Sequence, residues 1–340
     1  MNKKIALITG ASGQDGSYLS QLLIKKNYKV VAADRRSSRA GNWRHNYLGI
    51  EDKVIYEDFD LADIDSIFRL FKKYKFSEVY NLAAQSFVKG SFETPVSTSN
   101  VTGIGTLRIL EAIRFFNKKI KFYQASTSEM IGNTNSKMQN ENAEFYPRSP
   151  YACAKVFAHF ITQNYREAYG IFACSGILFN HESPIRGEEF VTRKITKRLA
   201  EIKLGKKNIL ELGNLNSKRD WGFAKDYVEV MWLMLQQKKP EDFVISTNKS
   251  YTIKDFVNEA AKNLDFNIKW VNKGKNEKGI NIANNKIIIK INPKFYRPSE
   301  VSNLKGNYSK ALKKLKWYPK TKFKQLVKIM VLEDLKRASK

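Results

Sequence analysis

The chain begins with an apolar run, Ile5-Ala-Leu-Ile8, that stops at Thr9 and Gly10, the pattern of a short strand buried on both faces. Tyr18, Leu19, Leu22 and Leu23 then recur at helical spacing across residues 14–26. A second strand is predicted over 28–33. Ile64, Ile67, Phe68 and Phe71 form a helical stripe over 64–74. Residues 78–82, 120–125 and 171–179 read as further strands, and 106–116 and 151–169 as amphipathic helices. Strands separated by helices predict an α/β fold with a doubly wound parallel sheet.

Past residue 180 the rhythm changes. Residues 183–187 read as a loop and 191–204 as a helix with a basic face. Short strands are predicted at 208–212 and 243–246, and helices at 226–237, 253–264 and 310–315. The Gly-, Asn- and Lys-rich stretch 273–285 reads as an exposed loop. Two units are expected. Residues 1–180 form a dinucleotide-binding domain, to which segments near 215–250 return. Residues 181–340 form a smaller, mixed α/β substrate lobe.

Composition narrows the class. The chain has 340 residues, 42% of them hydrophobic, which suffices for a sizeable core and argues against wholesale disorder. No apolar run approaches the roughly 18–20 residues of a membrane span, and the first strand shows no cleavage-site pattern behind it. Two cysteines, Cys153 and Cys174, are too few for a disulfide framework or a four-thiolate metal site. A soluble cytoplasmic protein is expected. The net charge is +27, and residues 271–340 hold 19 Lys/Arg against 4 Asp/Glu. Lys dominates that excess, whereas Arg dominates where phosphates and bases are read bidentately. A solvated basic face, with no nucleic-acid or membrane partner, is the expected meaning. A positive field also suits a polyanionic small substrate.

Three motifs carry chemistry. Gly10-Ala-Ser12-Gly13-Gln14-Asp15-Gly16 lies between the first strand and the first helix. Glycines there allow a tight turn and close backbone approach to a pyrophosphate, which the helix N-terminus attracts. This predicts a Rossmann dinucleotide site. At the end of the second strand stands Asp34-Arg35-Arg36-Ser37-Ser38. An acidic residue there suits a ribose hydroxyl, but two arginines favour the 2′-phosphate of NADP. The second motif is Tyr151-Ala-Cys-Ala-Lys155, whose ends share a helix face. A phenol titrates near 10, about three units too high for a base at neutral pH. The Lys155 ammonium, with a cationic nicotinamide, would favour the phenolate, so that Tyr151 accepts a hydroxyl proton as hydride leaves the same carbon. The third motif, Ser126-Thr127-Ser128-Glu129, closes a predicted strand at its carboxyl end, where ligands of parallel sheets bind. A simple redox enzyme has no use for Glu129. Beside a ketone it can remove an acidified C–H proton and protonate a leaving hydroxyl.

These stretches, together with Asn81-Leu-Ala-Ala-Gln-Ser86, Gly176-Ile-Leu-Phe-Asn-His-Glu-Ser-Pro184, Phe190-Val-Thr-Arg-Lys-Ile195, Lys218-Arg-Asp-Trp-Gly222 and Tyr296-Arg-Pro-Ser-Glu300, resemble the GDP-mannose 4,6-dehydratase family of extended short-chain dehydrogenases/reductases. The resemblance spans about residues 3–337. It implies an internal redox cycle in deoxysugar (GDP-fucose pathway) biosynthesis. Hydride passes from sugar C4 to NADP, Glu129 removes the C5 proton, the C6 hydroxyl leaves as water, and hydride returns to C6. It implies catalytic roles for Thr127, Glu129, Tyr151 and Lys155. It places cofactor contacts at Gly10 to Gly16, Arg35, Arg36, Asp60, Leu61, Leu82, Ala83, Ala84, Gln85, Ser86, Lys155, His181 and Arg186. Substrate contacts fall on Gln85, Ser86, Thr127, Glu129, Tyr151, Asn180, Val191, Lys194, Gly213, Arg219, Arg297 and Glu300. No metal is implied. A homo-oligomer, tetramer or dimer, is implied, with the loop 35–44 reaching a neighbour's cofactor site.

The chain departs from the family at Phe87, where many members have His, and at Ser175, where many have Asn. The segment 38–60 is also shorter than in many members. Pocket volume around C6 leaves GDP-manno-heptose open as the substrate. An epimerase or ketoreductase of the same superfamily would have no task for Glu129. An idle dinucleotide fold that binds nucleic acid would have no task for any of the four catalytic groups. His45 and His159 read as structural or surface residues.

Overall fold

A computed structural model describes residues 3–35, 42–132, 138–296, 299, 301 and 303–340. Its centre is a seven-stranded, all-parallel sheet. In spatial order the strands are Phe243–Ile245, Ala173–Leu178, Lys121–Thr127, Glu78–Asn81, Ile5–Thr9, Lys29–Asp34 and Ile55–Asp58. The winding reverses direction beside Ile5–Thr9, so the crevice of a doubly wound sheet opens at the carboxyl end of that strand. The strands read as apolar runs because helices cover both faces. On one face Tyr18, Leu19 and Leu23 pack with Tyr227, Met231 and Met234 of helix Ala224–Leu235. On the other, helices Ile64–Lys73 and Gly105–Phe116 bury Ile67, Leu70, Ile109 and Ile113.

A buried polar ladder fixes the carboxyl ends of three strands against one another. Thr9 Oγ1 donates to Asn81 Oδ1 at 2.8 Å, and Asn81 Nδ2 donates to Gln124 Oε1 at 2.8 Å. All three residues are at most 1% exposed, so each bond forms away from competing water. Helix Pro150–Tyr169 packs against the strands Lys121–Thr127 and Ala173–Leu178. Ser149 caps it by accepting from the Ala152 N–H, Pro150 occupies its first turn, and Gly170 ends it at φ +67°.

Phe243–Ile245 arrives late in the chain, yet it pairs in parallel with Ala173–Leu178 in the main sheet. A separate core gathers helices Val191–Lys203, Ile253–Lys262 and Phe323–Ala338 around Leu199, Phe256 and Met330. The strands Ile268–Val271, Lys278–Asn281, Lys286–Ile291 and Leu210–Leu212 form a second sheet beside them.

Two expectations are corrected and two elements are added. The stretch 273–285 is not an exposed loop. It contains strand Lys278–Asn281, which pairs antiparallel on both sides, and Gly279 and Asn281 are buried. A Cβ on Gly279 would lie 2.9 Å from Ile289 and 3.1 Å from Ile268, so the neighbours supply the apolar bulk that the strand's own sequence lacks. Strand Ile55–Asp58 and helix Phe323–Ala338 were not anticipated. The basic face expected on the 191–204 helix is interrupted, because Arg193 is buried. No described helix is long and apolar enough to cross a membrane.

The first turn is closely packed. A Cβ on Gly16 would come within 2.4 Å of the Gly10 carbonyl oxygen and 2.5 Å of Ala11 Cα, both backbone atoms. A Cβ on Gly13 would meet only the Gly10 oxygen, at 3.2 Å. Gly16→Ala is therefore expected to cost about 1–3 kcal/mol in urea unfolding, as overpacking does. Gly13→Ala should cost less, and equal costs would show that the turn yields.

Candidate functional site

The carboxyl ends of the sheet and the second core enclose a cavity of about 620 Å³. It collects residues from across the chain. Gly10, Gly13, Gln14, Asp15 and Gly16 of the first turn line it, as do Thr127, Glu129, Tyr151 and Lys155. Leu82, Ala84 and Ser86 line it too, together with Asn180, His181, Arg186, Val191, Lys194, Gly213 and Arg219. Of the expected contacts, Ser12, Arg35, Asp60, Leu61, Ala83 and Gln85 stand outside the lining. Asp60 and Leu61 follow the edge strand Ile55–Asp58, and Arg35 is exposed directly after Lys29–Asp34. Arg36, Arg297 and Glu300 lie outside the described residues, as does most of the loop 35–44. Arg44, at that loop's end, folds back on its own chain, donating to the carbonyls of Ile185 at 2.7 Å and Ser12 at 3.1 Å.

The turn is built to leave donors free. Gly10 takes φ +70°, where a Cβ would also meet Ala83 Cα at 2.9 Å. Helix Gln14–Lys25 has no side-chain cap, so its first N–H groups face the cavity end of the sheet. Asp34 braces the turn from behind, since Asp34 Oδ2 accepts the Ser12 N–H at 2.8 Å.

Asp15 and His181 join the turn to the strand Asn180–Glu182. His181 Nε2 lies 2.7 Å from Asp15 Oδ2, and Nδ1 lies 2.7 Å from the Phe179 carbonyl oxygen. Both partners are acceptors, so the ring donates from both nitrogens. Burial opposes its protonation, but the Asp15 carboxylate outweighs burial and holds the imidazolium above its ordinary range. For Asp15, burial raises the carboxyl, and His181 and then Arg186 bring it below its usual value. The imidazole stacks on Tyr227 at 4.6 Å. Gln14 ties the same elements again, donating to the His181 carbonyl at 3.0 Å and accepting from Ser183 Oγ at 2.7 Å.

Strand Lys121–Thr127 ends on Thr127, and one tight helical turn, Ser128–Met130, follows. Thr127 Oγ1 accepts the Glu129 N–H at 3.3 Å, which sets the carboxylate at 8% exposure on the cavity wall. Tyr151 is in the first turn of its helix and Lys155 one turn on. Lys155 Nζ donates to the Ala125 carbonyl at 2.7 Å and lies 5.8 Å from the Tyr151 ring centre. Burial pushes the Lys155 ammonium down to about 8, against the pull of Asp15. Burial and then the Glu129 charge push the Tyr151 phenol above its ordinary value, while the Thr127 hydroxyl hydrogen-bonds it and opposes the rise. Side chains alone therefore leave the phenol protonated at neutral pH.

On the far wall, burial brings Lys194 down to about 8, and its Nζ lies 3.2 Å over the Phe295 ring. Arg219 is 6% exposed and donates through Nη1 to the Val301 carbonyl at 2.8 Å. Among the described residues, the buried amide oxygens of Gln85 and Asn180 have no hydrogen-bond partner.

The other histidines are interior and structural. His45 bridges Tyr56 and the Ala11 carbonyl, and His159 lies between Ser126 and Gln163. Among the described residues no His, Cys, Asp and Glu side chains cluster to hold a metal. Sequence reasoning passed over Glu182, which is 2% exposed, binds Thr192 Oγ1 at 2.6 Å and pairs with Arg186 Nε at 3.1 Å. No local pattern signalled it, because Glu182 closes a strand and Arg186 lies in the loop beyond, where helical spacing does not apply.

Such a fold, with a cavity at the carboxyl ends of its strands, defines the chain as a Rossmann-like doubly wound α/β protein. The model of one family, GDP-mannose 4,6 dehydratase, matches residues 7–330. The chain is 48% identical to the GDP-mannose 4,6 dehydratase of Drosophila melanogaster, covering 98% of this chain and 86% of that one. It is 49% identical to GDP-mannose 4,6 dehydratase 1 of Arabidopsis thaliana, covering 99% and 91%. Among solved structures it resembles a dTDP-glucose 4,6-dehydratase from Bacillus anthracis, with a TM-score of 0.81 at 19% identity over 99% of this chain and 98% of that one. The chain belongs to the GDP-mannose 4,6-dehydratase family and is a hydro-lyase.

The Asp15–His181 pair makes stability depend on pH. Because the folded state raises the His181 pKa, its contribution is complete below the unfolded value, near 6.5, and is lost as pH rises through the folded value. The gap in melting temperature between the native chain and Asp15→Asn should therefore be wider at pH 6.5 than at pH 9. A gap that does not change with pH would place the pair's worth elsewhere.

Proposed function

We propose that this protein converts GDP-mannose to GDP-4-keto-6-deoxy-mannose, with NADP as its cofactor. The observation that carries this reading is Glu129 placed with Thr127, Tyr151 and Lys155 on the wall of one cavity. A dehydrogenase needs the last three. Only a reaction that breaks a C–H bond beside a ketone and expels a hydroxyl needs the fourth.

The residues suit a nicotinamide dinucleotide. The turn has no room for a Cβ at Gly16, the helix behind it has no side-chain cap, and the Asn180 amide oxygen on the cavity wall has no hydrogen-bond partner among the described residues. Gly10 to Gly16 and Arg186 would hold the phosphates and His181 the neighbouring ribose. When bound, the cofactor supplies the capacity to take a hydride from C4 and return one to C6. Asp34 is already engaged by the Ser12 N–H, so the exposed Arg35, with Arg36, is left to meet a 2′-phosphate.

The chain's own groups handle the protons. Thr127 hydrogen-bonds the C4 oxygen, and Tyr151 accepts the proton of the 4-hydroxyl. A positive charge beside the buried phenol offsets the desolvation and the Glu129 charge that now hold it up. Lys155, fixed on the Ala125 carbonyl, contributes to that charge from a constant position. Once C4 is a ketone, the C5 proton is acidic. Glu129 removes it and gives a proton to the departing C6 oxygen, so one carboxyl group balances the dehydration. Arg219 and Lys194 face the same space as the sites for the diphosphate and nucleotide.

The protein would act in the cytoplasm as a homo-oligomer, a tetramer or a dimer. Phe157 and Phe160, 39% and 53% exposed on helix Pro150–Tyr169, would supply apolar surface for such contacts.

Tyr151→Phe should lose overall turnover by about 10²–10⁴-fold and fail to reduce bound NADP with GDP-mannose. Glu129→Gln should lose dehydration by a similar factor while still drawing hydride from C4, seen as NADPH absorbance in a single turnover. Equal loss of both steps in Glu129→Gln would break this division of labour. For the cofactor, Arg35→Ala should weaken NADP about tenfold or more and leave NAD nearly unchanged, because a charged hydrogen bond contributes about 1.5–3 kcal/mol. Calorimetric titration with both dinucleotides checks this, and parallel losses would remove Arg35 from the choice.

A further inference from the structure

Arg193 is the least expected charge in the molecule. It lies on helix Val191–Lys203, and its side chain is 4% exposed. Its partner, Asp334 on the C-terminal helix Phe323–Ala338, is 1% exposed. Arg193 Nε lies 2.7 and 2.9 Å from the two Asp334 oxygens, and Nη2 lies 2.7 Å from Oδ1. Thr196 Oγ1 adds a donor to the same carboxylate at 2.6 Å. Burying such a pair is costly, and well-packed apolar residues often stabilise a fold as much. Helix-to-helix cohesion alone therefore explains little of it.

The remaining donor accounts for it. Arg193 Nη1 donates to two backbone carbonyls, Pro184 at 2.8 Å and Arg186 at 3.0 Å. Both lie in the loop after strand Asn180–Glu182, the loop that presents Arg186 to the cavity. Arg337, one turn beyond Asp334 on the same C-terminal helix, donates to the Pro184 carbonyl at 2.6 Å. With its backbone held this way, Arg186 lies 3.5 Å over the Phe190 ring with its Nε 3.1 Å from Glu182. The planar guanidinium of Arg193 serves a carboxylate on one edge and two carbonyls on the other, a geometry that a lysine cannot copy.

We infer that Arg193, anchored by Asp334, is a positioning residue for the cofactor: it fixes the 183–187 loop so that Arg186 points into the dinucleotide cradle, and thereby couples the C-terminal helix to cofactor affinity. The inference rests on the reading of Arg186 as a cofactor contact.

The test measures NADPH affinity by fluorescence titration, GDP affinity by calorimetry, and kcat at saturating cofactor. Three proteins are compared: Arg186→Ala, Arg193→Lys and the native chain. Arg193→Lys keeps a cation against Asp334, so folding should survive, and its melting temperature is recorded alongside. The expected result is about a tenfold loss of NADPH affinity in both variants. In Arg193→Lys, GDP affinity should be unchanged and kcat at saturation should stay within about threefold, the split of a binding effect. Native NADPH affinity in a folded Arg193→Lys, beside a weakened Arg186→Ala, overturns the inference alone. Native affinity in Arg186→Ala overturns the reading beneath it. Equal losses for NADPH and GDP in Arg193→Lys would mark general loosening and also overturn it. If Arg193→Lys does not fold, Arg193→Met/Asp334→Leu removes both charges without stranding either. The same NADPH-selective loss then supports the inference, and native affinity refutes it.

Discussion

The contact between Asp15 and His181 is the constraint on which the site's assembly depends. Asp15 is in the first turn of the helix after the first strand of the sheet, and His181 follows the strand Ala173–Leu178, with two strands between them. A carboxylate and an imidazolium 2.7 Å apart span that gap, and the Gln14 contacts to His181 and Ser183 repeat the tie with neutral groups. Glycine makes it reachable. Only because Gly16 has no Cβ does the helix start close enough to the Gly10 turn for its second residue to meet the opposite wall. The same approach leaves the first N–H groups of the helix free of side-chain caps, so the anion site and the tie across the crevice come from one piece of backbone.

Around that frame the charges oppose one another with little room to relax. Tyr151 and Lys155 are both buried, and burial alone favours their neutral forms. Glu129, on the same wall, pushes the phenol further from its charged form. In the proposed cycle Tyr151 therefore needs further positive charge beside it before it can act as a base, with the Thr127 hydroxyl and then the Arg186 charge already favouring the phenolate. Holding the base back until the site is filled limits proton loss to water.

The parallel sheet was legible because its strands are covered on both faces, so apolar runs such as Ile5–Thr9 and Ala173–Leu178 stand out from the helices between them. The edge strand Ile55–Asp58 was not. It is half exposed and ends in two acids, and nothing in its residues distinguishes it from a loop. Strand Lys278–Asn281 failed for a related reason, since Ile268 and Ile289 fill the space above Gly279 and the strand itself carries almost no apolar pattern. The proposed catalytic residues were readable from local motifs, because Thr127 with Glu129 and Tyr151 with Lys155 each lie within five residues of chain. Pairings between distant segments were not readable. Asp15 and His181 are 166 residues apart, and Arg193 and Asp334 are 141 apart. On sequence, Arg193 belonged to a solvated basic face, and only packing against the C-terminal helix makes it an interior group.

In the proposed cycle one active site oxidises C4, removes water across C5 and C6, and reduces C6 without exchanging the migrating hydrogen with solvent. The most direct measurement uses GDP-mannose labelled with deuterium at C4. The labelled sugar is incubated with the native protein and a catalytic amount of NADP, and the product is read by mass spectrometry and NMR. The account predicts a GDP-sugar lighter by one water, with the deuterium in the new C6 methyl group and no net NADPH. A sugar that keeps its water, or a dehydrated product whose deuterium is lost to solvent, would contradict it.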